Sequence, residues 1–259
     1  MIWPSVSIII RTLNEANRLR NLLFRLECQR DRYNRKEAGV ETIVVDNESA
    51  DNTVEIARNW GAKVITLKRN DFTFPKSLNV GAAAAANEIL IFTVGHALPV
   101  SYEWLEAGLR HFASSVVGGV FSQVIPHKSS PFYPKKTLAE ILFYYPGYLQ
   151  ARIRGPYIVG KRSMGVLGAT NCAIRKSIWE QHHFDERFEC GGEDGEMARW
   201  IQEHNYQIVC DWQFAVYHSH GMNFRGMREQ FRYWSQLGGP TTFSRDKLKF
   251  REDLDFQGP

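Results

Sequence analysis

The chain has 259 residues, of which 44% are hydrophobic and 23% are charged, enough for one large α/β domain or two small ones. Its net charge of +4 suits phosphorylated ligands or an anionic membrane surface, but it is too small to indicate nucleic-acid binding. No apolar stretch reaches the ~20 residues that cross a bilayer, and the N-terminus lacks a signal-peptide pattern. The scattered cysteines form no CxxC pair, so we expect reduced thiols. Because no linker or repeat divides the chain, one soluble domain is expected.

The first half of the chain alternates buried strands with amphipathic helices. Apolar runs predict strands at residues 6–10, 42–45, 63–67 and 89–93. Each is followed by a helical pattern: the first has Asn14 as its N-cap, the third covers Leu78 to Ala86, and the fourth runs from Ser101 to Phe112. A strand then covers residues 116–122. This alternation predicts a parallel, right-handed wound sheet over the first 120 residues.

The second half of the chain has a less regular pattern. Residues 127–165 are rich in aromatic side chains interleaved with Arg and Lys. Strands are predicted at 169–174 and 207–210, and helices at 193–205 and 226–237.

A polar turn follows the second strand at Asp46-Asn47. Ligands of open α/β sheets bind just beyond the carboxyl ends of the strands, where a carboxylate suits hydrogen bonding to a ribose or a nucleobase. The alternative is an ordinary strand-to-helix turn with Ser49 or Asp51 as the N-cap. A similar polar turn after the first strand and a Glu-Asp pair far downstream favour the ligand-binding interpretation.

Six segments in this order give the chain a resemblance to a known family. They are SIIIRTLNEANRL, VVDNESADNT, FPKSLNVGAAAAANEILIF, GATNCAIRKSIW, GGEDGEMARW and AVYHSH. The chain resembles the family 2 inverting glycosyltransferases of the GT-A fold over nearly its whole length. Its TVGHALP segment is most similar to rhamnosyltransferase-like members that build bacterial surface polysaccharides.

The resemblance implies an α/β fold with a GT-A-type wound mixed sheet, mainly parallel and flanked by helices. A single domain would cover residues 1–240 and end in a C-terminal helical extension, with a tail at 241–259. Residues 1–120 would bind the nucleotide-sugar, and residues 121–240 would bind the acceptor.

The resemblance also implies which residues bind the donor. Two strand-end loops would contribute, together with a segment just before the alanine-rich helix and the glycine after the fourth strand. The residues are Thr12, Asn14, Glu15, Asp46, Asn47, Ser49, Lys76, Asn79 and Gly95. A lysine suits contact with a diphosphate because charge-assisted hydrogen bonds are strong, although Lys76 can equally be a solvated surface residue. Further candidates for offsetting the diphosphate charge are Arg11, Lys76, Arg162, His220 and Arg225.

A divalent cofactor, Mn²⁺ or Mg²⁺, is implied by the family's Asp-x-Asp motif, but here the segment reads Val94-Gly95-His96. Valine cannot bind a metal, and imidazole is a fair ligand for Mn²⁺ but a poor one for Mg²⁺. The metal requirement therefore stays open, with His96 either a ligand or a structural histidine. His218 and His220 lie in an extended segment whose side chains we expect to alternate, so only one would point into the site. We favour His220 as that ligand.

The Glu193-Asp194 pair carries the chemistry that the resemblance implies. In inverting transfer, an acceptor hydroxyl attacks the anomeric carbon and needs a general base. Asp194 would take this role and Glu193 would orient the acceptor, with Gly191-Gly192 allowing close backbone approach. The structural alternative is that acidic residues simply favour the first turn of a helix.

Three other functions are alternatives for this sequence. A sugar-1-phosphate nucleotidylyltransferase normally has a glycine-rich loop after the first strand, which RTLNEANR lacks. A processive synthase would need membrane helices and a QxxRW motif, to which Gln230, Arg232 and Trp234 do not correspond in spacing. A non-catalytic nucleotide- or sugar-binding protein is favoured by Val94 and opposed by the intact acidic pair.

The implied partners are a nucleotide-sugar donor and a glycan or polyprenyl-diphosphate-linked acceptor, with no nucleic acid. The aromatic and basic segment suits both sugar stacking and peripheral membrane contact, or else it forms core or a dimer interface. We expect a cytoplasmic protein that can associate with the inner face of the cell membrane.

Overall fold

The structure is a computed structural model that describes residues 3–34, 39–127, 133, 135–160, 166–189 and 191–235. The predicted role of Arg162, the predicted end of the last helix at residue 237 and the tail at 241–259 lie outside these residues.

The strands belong to two sheets. They are β1 (Val6–Thr12), β2 (Val40–Asp46), β3 (Lys63–Thr66), β4 (Ile89–Val94), β5 (Leu98–Pro99), β6 (Val117–Phe121), β7 (Val124–Ile125), β8 (Tyr157–Ile158), β9 (Asn171–Arg175), β10 (Gln207–Cys210) and β11 (Val216–Tyr217). The main sheet has the strand order β3-β2-β1-β4-β9-β6-β10-β8, and a small sheet has the order β5-β11-β7.

Helices flank the main sheet on both faces. They are α1 (Ala16–Asn34), α2 (Thr53–Asn59), α3 (Phe74–Ala83), α4 (Trp104–Leu109), α5 (Leu138–Arg154), α6 (Lys176–Gln181), α7 (Glu193–Glu203) and α8 (Phe224–Ser235). None of the helices in the described part of the chain is long and apolar enough to span a membrane.

The main sheet is mixed and mainly parallel. β3, β2, β1 and β4 are parallel neighbours, which confirms the predicted winding of the first four strands. β9 lies between β4 and β6 and is antiparallel to both. Strand β6 therefore runs in the same direction as β4 without pairing with it. The carboxyl ends of β1, β2, β4 and β6 consequently meet at one edge of the sheet.

Two hydrophobic cores cover the two faces of the sheet, because side chains alternate along each strand. Ile8 and Ile10 pack with α1 and α4 on one face, whereas Ile9 packs with α3 on the other. Burial of apolar surface contributes about 25 cal/mol of stabilising free energy per Å². This packing holds the strand ends in fixed positions relative to one another.

The starts of α3 and α1 differ from the sequence prediction. Helix α3 begins at Phe74 because Thr73 caps it, with Oγ1 accepting from the Lys76 amide at 3.2 Å. Lys76 and Asn79 therefore lie inside the helix and not before it. Asn14 is not the N-cap of α1: its φ is 53°, and Asp51 Oδ2 accepts from the Ala16 amide at 3.0 Å.

A buried carboxylate fixes the end of β10. Asp211 accepts hydrogen bonds from Arg110 Nε at 3.1 Å, His111 Nε2 at 2.8 Å and the Gln213 amide at 3.0 Å. Burial alone would raise the pKa of Asp211, but these hydrogen bonds and the Arg110 charge hold its pKa below the ordinary value. The ionised side chain thus ties the sheet to the turn after α4.

Helix α5 falls in the aromatic and basic segment, where no helix was predicted. It starts with a capping box in which Thr137 and Glu140 bond reciprocally to each other's backbone amides.

Candidate active site

A cavity of about 790 Å³ lies at the carboxyl edge of the main sheet. Of the predicted site residues, seven line it: Thr12, Glu15, Asn47, His96, Glu193, Asp194 and His220. Six do not line it: Asn14, Asp46, Ser49, Lys76, Asn79 and Gly95. The predicted acceptor half contributes Phe143, Tyr144 and Gly147 from α5.

Three of the residues outside the cavity hold its first two loops together. The Asn14 amide donates to Ser49 Oγ at 2.8 Å, and Asn14 Oδ1 accepts from the Ala50 amide at 2.7 Å. Asp46, which is 1% exposed, accepts from Thr12 Oγ1 at 3.2 Å and from the Ser49 amide at 2.9 Å. These contacts position the loops that present Thr12 and Asn47 to the cavity, and a direct donor contact by Asp46 stays a prediction.

The side chains of Asn79 and Lys76 point to other partners. Asn79 Nδ2 donates to the Phe184 carbonyl at 2.9 Å and to Glu186 at 3.1 Å, while Oδ1 accepts from Trp179 Nε1 at 3.0 Å. The Asn79 amide therefore links α3 to the segment after α6. Lys76 Nζ lies 3.9 Å from Asp71. The geometry does not bring either residue to the cavity, and their donor-binding roles stay predictions.

Gly95 gives the Glu15 carboxylate its space. A Cβ atom at Gly95 would lie 2.2 Å from Glu15 Oε2 and 2.8 Å from Thr12 Cγ2. Any larger side chain at residue 95 would therefore displace Glu15, so Gly95 acts on the site by being small.

Three histidine rings meet on one wall of the cavity. The centroid of the His96 ring lies 4.7 Å from that of His218 and 5.4 Å from that of His220, and the last two are 4.6 Å apart. The expectation that only one of His218 and His220 faces the site was wrong. Residues two apart in an extended segment share a face, and it is Ser219 between them that points away and is buried.

Glu15 and His127 hold His96 in place. His96 Nδ1 bonds to Glu15 Oε1, and the His127 ring donates from Nε2 to the His96 carbonyl at 3.0 Å. Burial lowers the pKa of His127 to about 3, which keeps this ring neutral. Glu15 thus holds the His96 ring, and His127 holds the backbone of the same residue.

The residues present fit a transition metal better than Mg²⁺. The nitrogen atoms of the three histidines lie within 4.8 Å of one another, and neutral imidazole suits Mn²⁺, Co²⁺ or Zn²⁺. Mg²⁺ prefers oxygen ligands, whereas the three residues of this cluster all offer nitrogen.

The acidic pair lies at the start of α7. Gly191 and Gly192 have φ values of 119° and 103°, which let the chain turn tightly into the helix. Asp194 Oδ2 accepts from the Ala169 amide at 3.0 Å and Oδ1 accepts from the Gly195 amide at 2.7 Å. Each carboxylate oxygen keeps a second lone pair, so Asp194 is fixed in orientation and able to accept a proton. Glu193 is 3% exposed beside it.

Several cavity residues were not found from the sequence. They are Phe72, Phe74, Ser122, Arg199 and His218. Ser122 directly follows the end of β6, and a polar residue at the carboxyl end of a strand could have been predicted to line the site. Phe72 and Phe74 depended on the true start of α3, and Arg199 depended on which face of α7 points inward.

Four polar atoms buried in the cavity wall have no hydrogen-bond partner in the described part of the chain. They are Glu15 Oε2, Asn47 Oδ1, His96 Nε2 and Ser122 Oγ. Leaving such an atom without a partner costs about 1–3 kcal/mol, so their concentration in one cavity marks a surface built for a polar ligand.

Two relatives share part of their sequence with this chain. A 4,4'-diaponeurosporenoate glycosyltransferase of Staphylococcus haemolyticus is 36% identical over 123 residues, which are 46% of this chain and 31% of that protein. The O-antigen biosynthesis protein RfbC of Myxococcus xanthus is 24% identical over 230 residues, 83% of this chain and 17% of that protein. The chain thus spans less than a third of either relative.

A solved structure shares the fold. The mannosyltransferase PcManGT of Pyrobaculum calidifontis, in complex with GDP-Man and Mn²⁺, superimposes with a TM-score of 0.61 at 18% identity, covering 98% of this chain and 71% of that one. This likeness confirms the predicted GT-A-type fold. The model of the family described as "Glycosyl transferase family 2" matches residues 7–180. Because that match covers more than half of the chain, the protein belongs to glycosyl transferase family 2.

Proposed function

We propose that this chain transfers a sugar, with inversion, from a nucleoside-diphosphate donor to a hydroxyl of a glycan or lipid-linked glycan in bacterial surface polysaccharide synthesis. The observation that carries the proposal is one cavity that combines unpartnered polar atoms with the fixed Asp194 carboxylate. The rhamnosyltransferase-like subtype is part of this proposal and rests on the TVGHALP segment.

The donor is assigned to the side of the cavity formed by the ends of β1 and β2. Asn47 offers an amide to a ribose or a base, and the aromatic pair Phe72 and Phe74 provides an apolar wall. Arg11, whose guanidinium carbon lies 5.2 Å from the Phe74 ring centre, and Arg199 supply positive charge to a diphosphate. A divalent ion held by His96 and His220 would add further charge stabilisation there when bound.

Asp194 acts as the general base in this proposal. The acceptor oxygen forms a bond to the anomeric carbon while the bond from that carbon to the diphosphate oxygen breaks on the opposite face. The acceptor proton passes to Asp194, and the diphosphate leaves with the bonding electron pair. General-base assistance of this kind contributes about 10²–10⁴ in rate.

Helix α5 supports a lipid-linked acceptor. Its outward face is apolar, with Leu138 61%, Leu142 56%, Leu149 47% and Ile153 86% exposed. The helical spacing of these residues places them on one stripe. Because Phe143 and Tyr144 of the same helix line the cavity, the stripe lies beside the site of transfer.

We assign this stripe to an anionic bilayer surface on the basis of charge. Exposed Lys135 and Lys136 precede the helix, and exposed Arg152 and Arg154 end it. The one acidic side chain within α5, Glu140, is fully buried. Apolar residues flanked by cations are the composition of an interfacial helix, and such a surface would bring a membrane-held acceptor to the cavity.

A transfer assay tests the proposal. The purified chain is incubated with UDP-, GDP- and dTDP-sugars and a lipid-linked glycan acceptor, and the products are analysed by mass spectrometry and by NMR for anomeric configuration. We expect transfer from one donor class, and a fall of about 10²–10⁴ in turnover for Asp194→Asn with nucleotide binding kept. Glu196→Gln is the matched control, because Glu196 lies in the same helical turn but bonds to His182 at 2.9 Å.

Two results would contradict the proposal. Retention of the anomeric configuration in the product would rule out the inverting mechanism. A wild-type chain that binds a nucleotide but transfers nothing would instead support the non-catalytic binding protein.

A further inference from the structure

We infer that His96, His218 and His220 form a three-imidazole site for a first-row transition metal ion, in preference to Mg²⁺, with Glu15 and Glu140 as positioning residues. The role of this ion in sugar transfer rests on the proposed function, but its binding does not.

The three ligands come from two segments that the sheet brings together. His96 follows the end of β4, and His218 and His220 follow β11. Their nitrogen atoms lie within 4.8 Å of one another, so small ring rotations allow one ion to reach all three with bonds of about 2.1 Å. The rings are half-buried in the cavity wall and open to its ligand space.

The Glu15 carboxylate occupies one nitrogen of His96 and leaves the other available to a metal ion. Glu15 Oε1 bonds to Nδ1, and Nε2 is buried with no hydrogen-bond partner among the residues that the structure describes. Metal-binding histidines commonly donate their second ring N–H to a carboxylate, which fixes the ring and makes the ligand nitrogen more basic. A metal ion accounts for both the carboxylate and the buried Nε2.

A second buried carboxylate fixes the backbone that carries His220. Glu140 Oε1 accepts from the amides of His220 at 3.0 Å, Gly221 at 2.8 Å and Met222 at 3.2 Å. Gly221 has a φ of 71°, so these three amides converge on one oxygen. Upstream, the His218 amide donates to the Ile125 carbonyl at 2.8 Å. Both histidines therefore stand on a backbone held in place from two sides.

The donor set decides the kind of ion. The family's two carboxylates would attract a hard cation, whereas three imidazoles are borderline ligands that bind Co²⁺, Ni²⁺ and Zn²⁺ more tightly than Mn²⁺ and hold Mg²⁺ poorly. In this inference, histidine ligands replace the carboxylates of the family's motif, which accounts for Val94 at the position of the first carboxylate. His218 is the third ligand, in addition to the predicted His96 and His220.

Metal binding is measured on the full chain without donor or acceptor. The protein is treated with a chelator and titrated with Co²⁺, Mn²⁺ and Mg²⁺ by calorimetry, and the Co²⁺ form is recorded by visible absorption. We expect one equivalent of Co²⁺ with the absorption of a nitrogen-ligated ion, weaker Mn²⁺ binding, and no displacement by Mg²⁺. Glu15→Gln should weaken Co²⁺ binding about 10–100-fold, and His218→Asn should weaken it more.

The control is His204→Gln, which removes an exposed histidine that lies outside the cavity. Circular dichroism and melting without metal establish that each variant is folded. Equal binding of Mg²⁺ and Co²⁺, or unchanged Co²⁺ affinity in folded His218→Asn and Glu15→Gln, would overturn the inference. Sugar transfer by a chain that binds no Co²⁺ would refute the metal site alone, whereas Co²⁺ binding without transfer would refute the proposed function alone.

Discussion

The substitution Gly95→Ala tests the link between backbone geometry and the histidine cluster. The added Cβ would lie 2.2 Å from Glu15 Oε2 and 2.8 Å from Thr12 Cγ2, well inside van der Waals contact. Thr12 is buried at the end of β1 and bonded to Asp46, so we expect the longer Glu15 side chain to rotate away from His96. The altered residue itself keeps an ordinary backbone conformation, so the effect is steric.

The magnitude follows from two separate terms. Overpacking in a buried site costs about 1–3 kcal/mol, which for a chain of this size lowers the melting temperature by about 2–4 °C per kcal/mol. Loss of the Glu15 contact to His96 should in addition weaken Co²⁺ binding about 10–100-fold.

Thermal melting and Co²⁺ calorimetry on the same samples measure both effects. Gly160→Ala is the matched control, because no atom of the residues that the structure describes lies within 4 Å of a Cβ built at Gly160. A Gly95→Ala protein that has the melting temperature and the Co²⁺ affinity of the wild type would contradict the predicted displacement of Glu15.

Three further predictions concern stability, positioning and membrane contact. Asp211→Asn should lower the unfolding free energy by about 3 kcal/mol at pH 7. Because the folded-state pKa of Asp211 is depressed, this difference in unfolding free energy should shrink as the pH falls below about 4. Urea denaturation of both proteins at pH 7 and below about pH 4 measures it, and an equal difference at the two pH values would contradict the prediction. Glu140→Gln should cost about 2 kcal/mol and weaken Co²⁺ binding, and an unchanged Co²⁺ affinity by calorimetry would argue against its positioning role. Leu142→Glu and Leu149→Glu should each weaken co-sedimentation with anionic vesicles, whereas Phe24→Glu, the same one-charge change at an exposed residue on α1, should not; an equal loss in all three variants would argue against the membrane assignment.

The sequence predicted the order and type of the first elements well because they depend on local patterns. Continuous apolar runs identified β1, β2 and β4, and alternation with helices predicted their parallel pairing. The insertion of β9 between β4 and β6 could not be read in this way, because it depends on a long-range antiparallel pairing that leaves no periodic signal. Helix α5 was missed because its outward face is apolar, which hides the amphipathic period.

The site was predicted where side chains follow strand ends and missed where tertiary packing decides. Thr12, Asn47 and His96 line the cavity, as their positions at or just beyond the ends of β1, β2 and β4 suggested. The start of α3 was set four residues too late, at Leu78, because the Thr73 cap was not recognised, and Lys76 was therefore placed outside the helix. His218 was lost through a wrong use of strand alternation, since i and i+2 share a face.

Nucleotide binding in the cavity is tested by the melting temperature of the wild-type chain with UDP, GDP and dTDP, each with Mn²⁺ and with Mg²⁺. A ligand that binds only the folded state raises the melting temperature by mass action. We expect a rise with one nucleoside diphosphate that is larger with Mn²⁺ than with Mg²⁺, and we expect this Mn²⁺ effect to be lost in His96→Asn. No rise with any nucleotide under either condition would contradict the assignment of the cavity to a nucleotide-sugar.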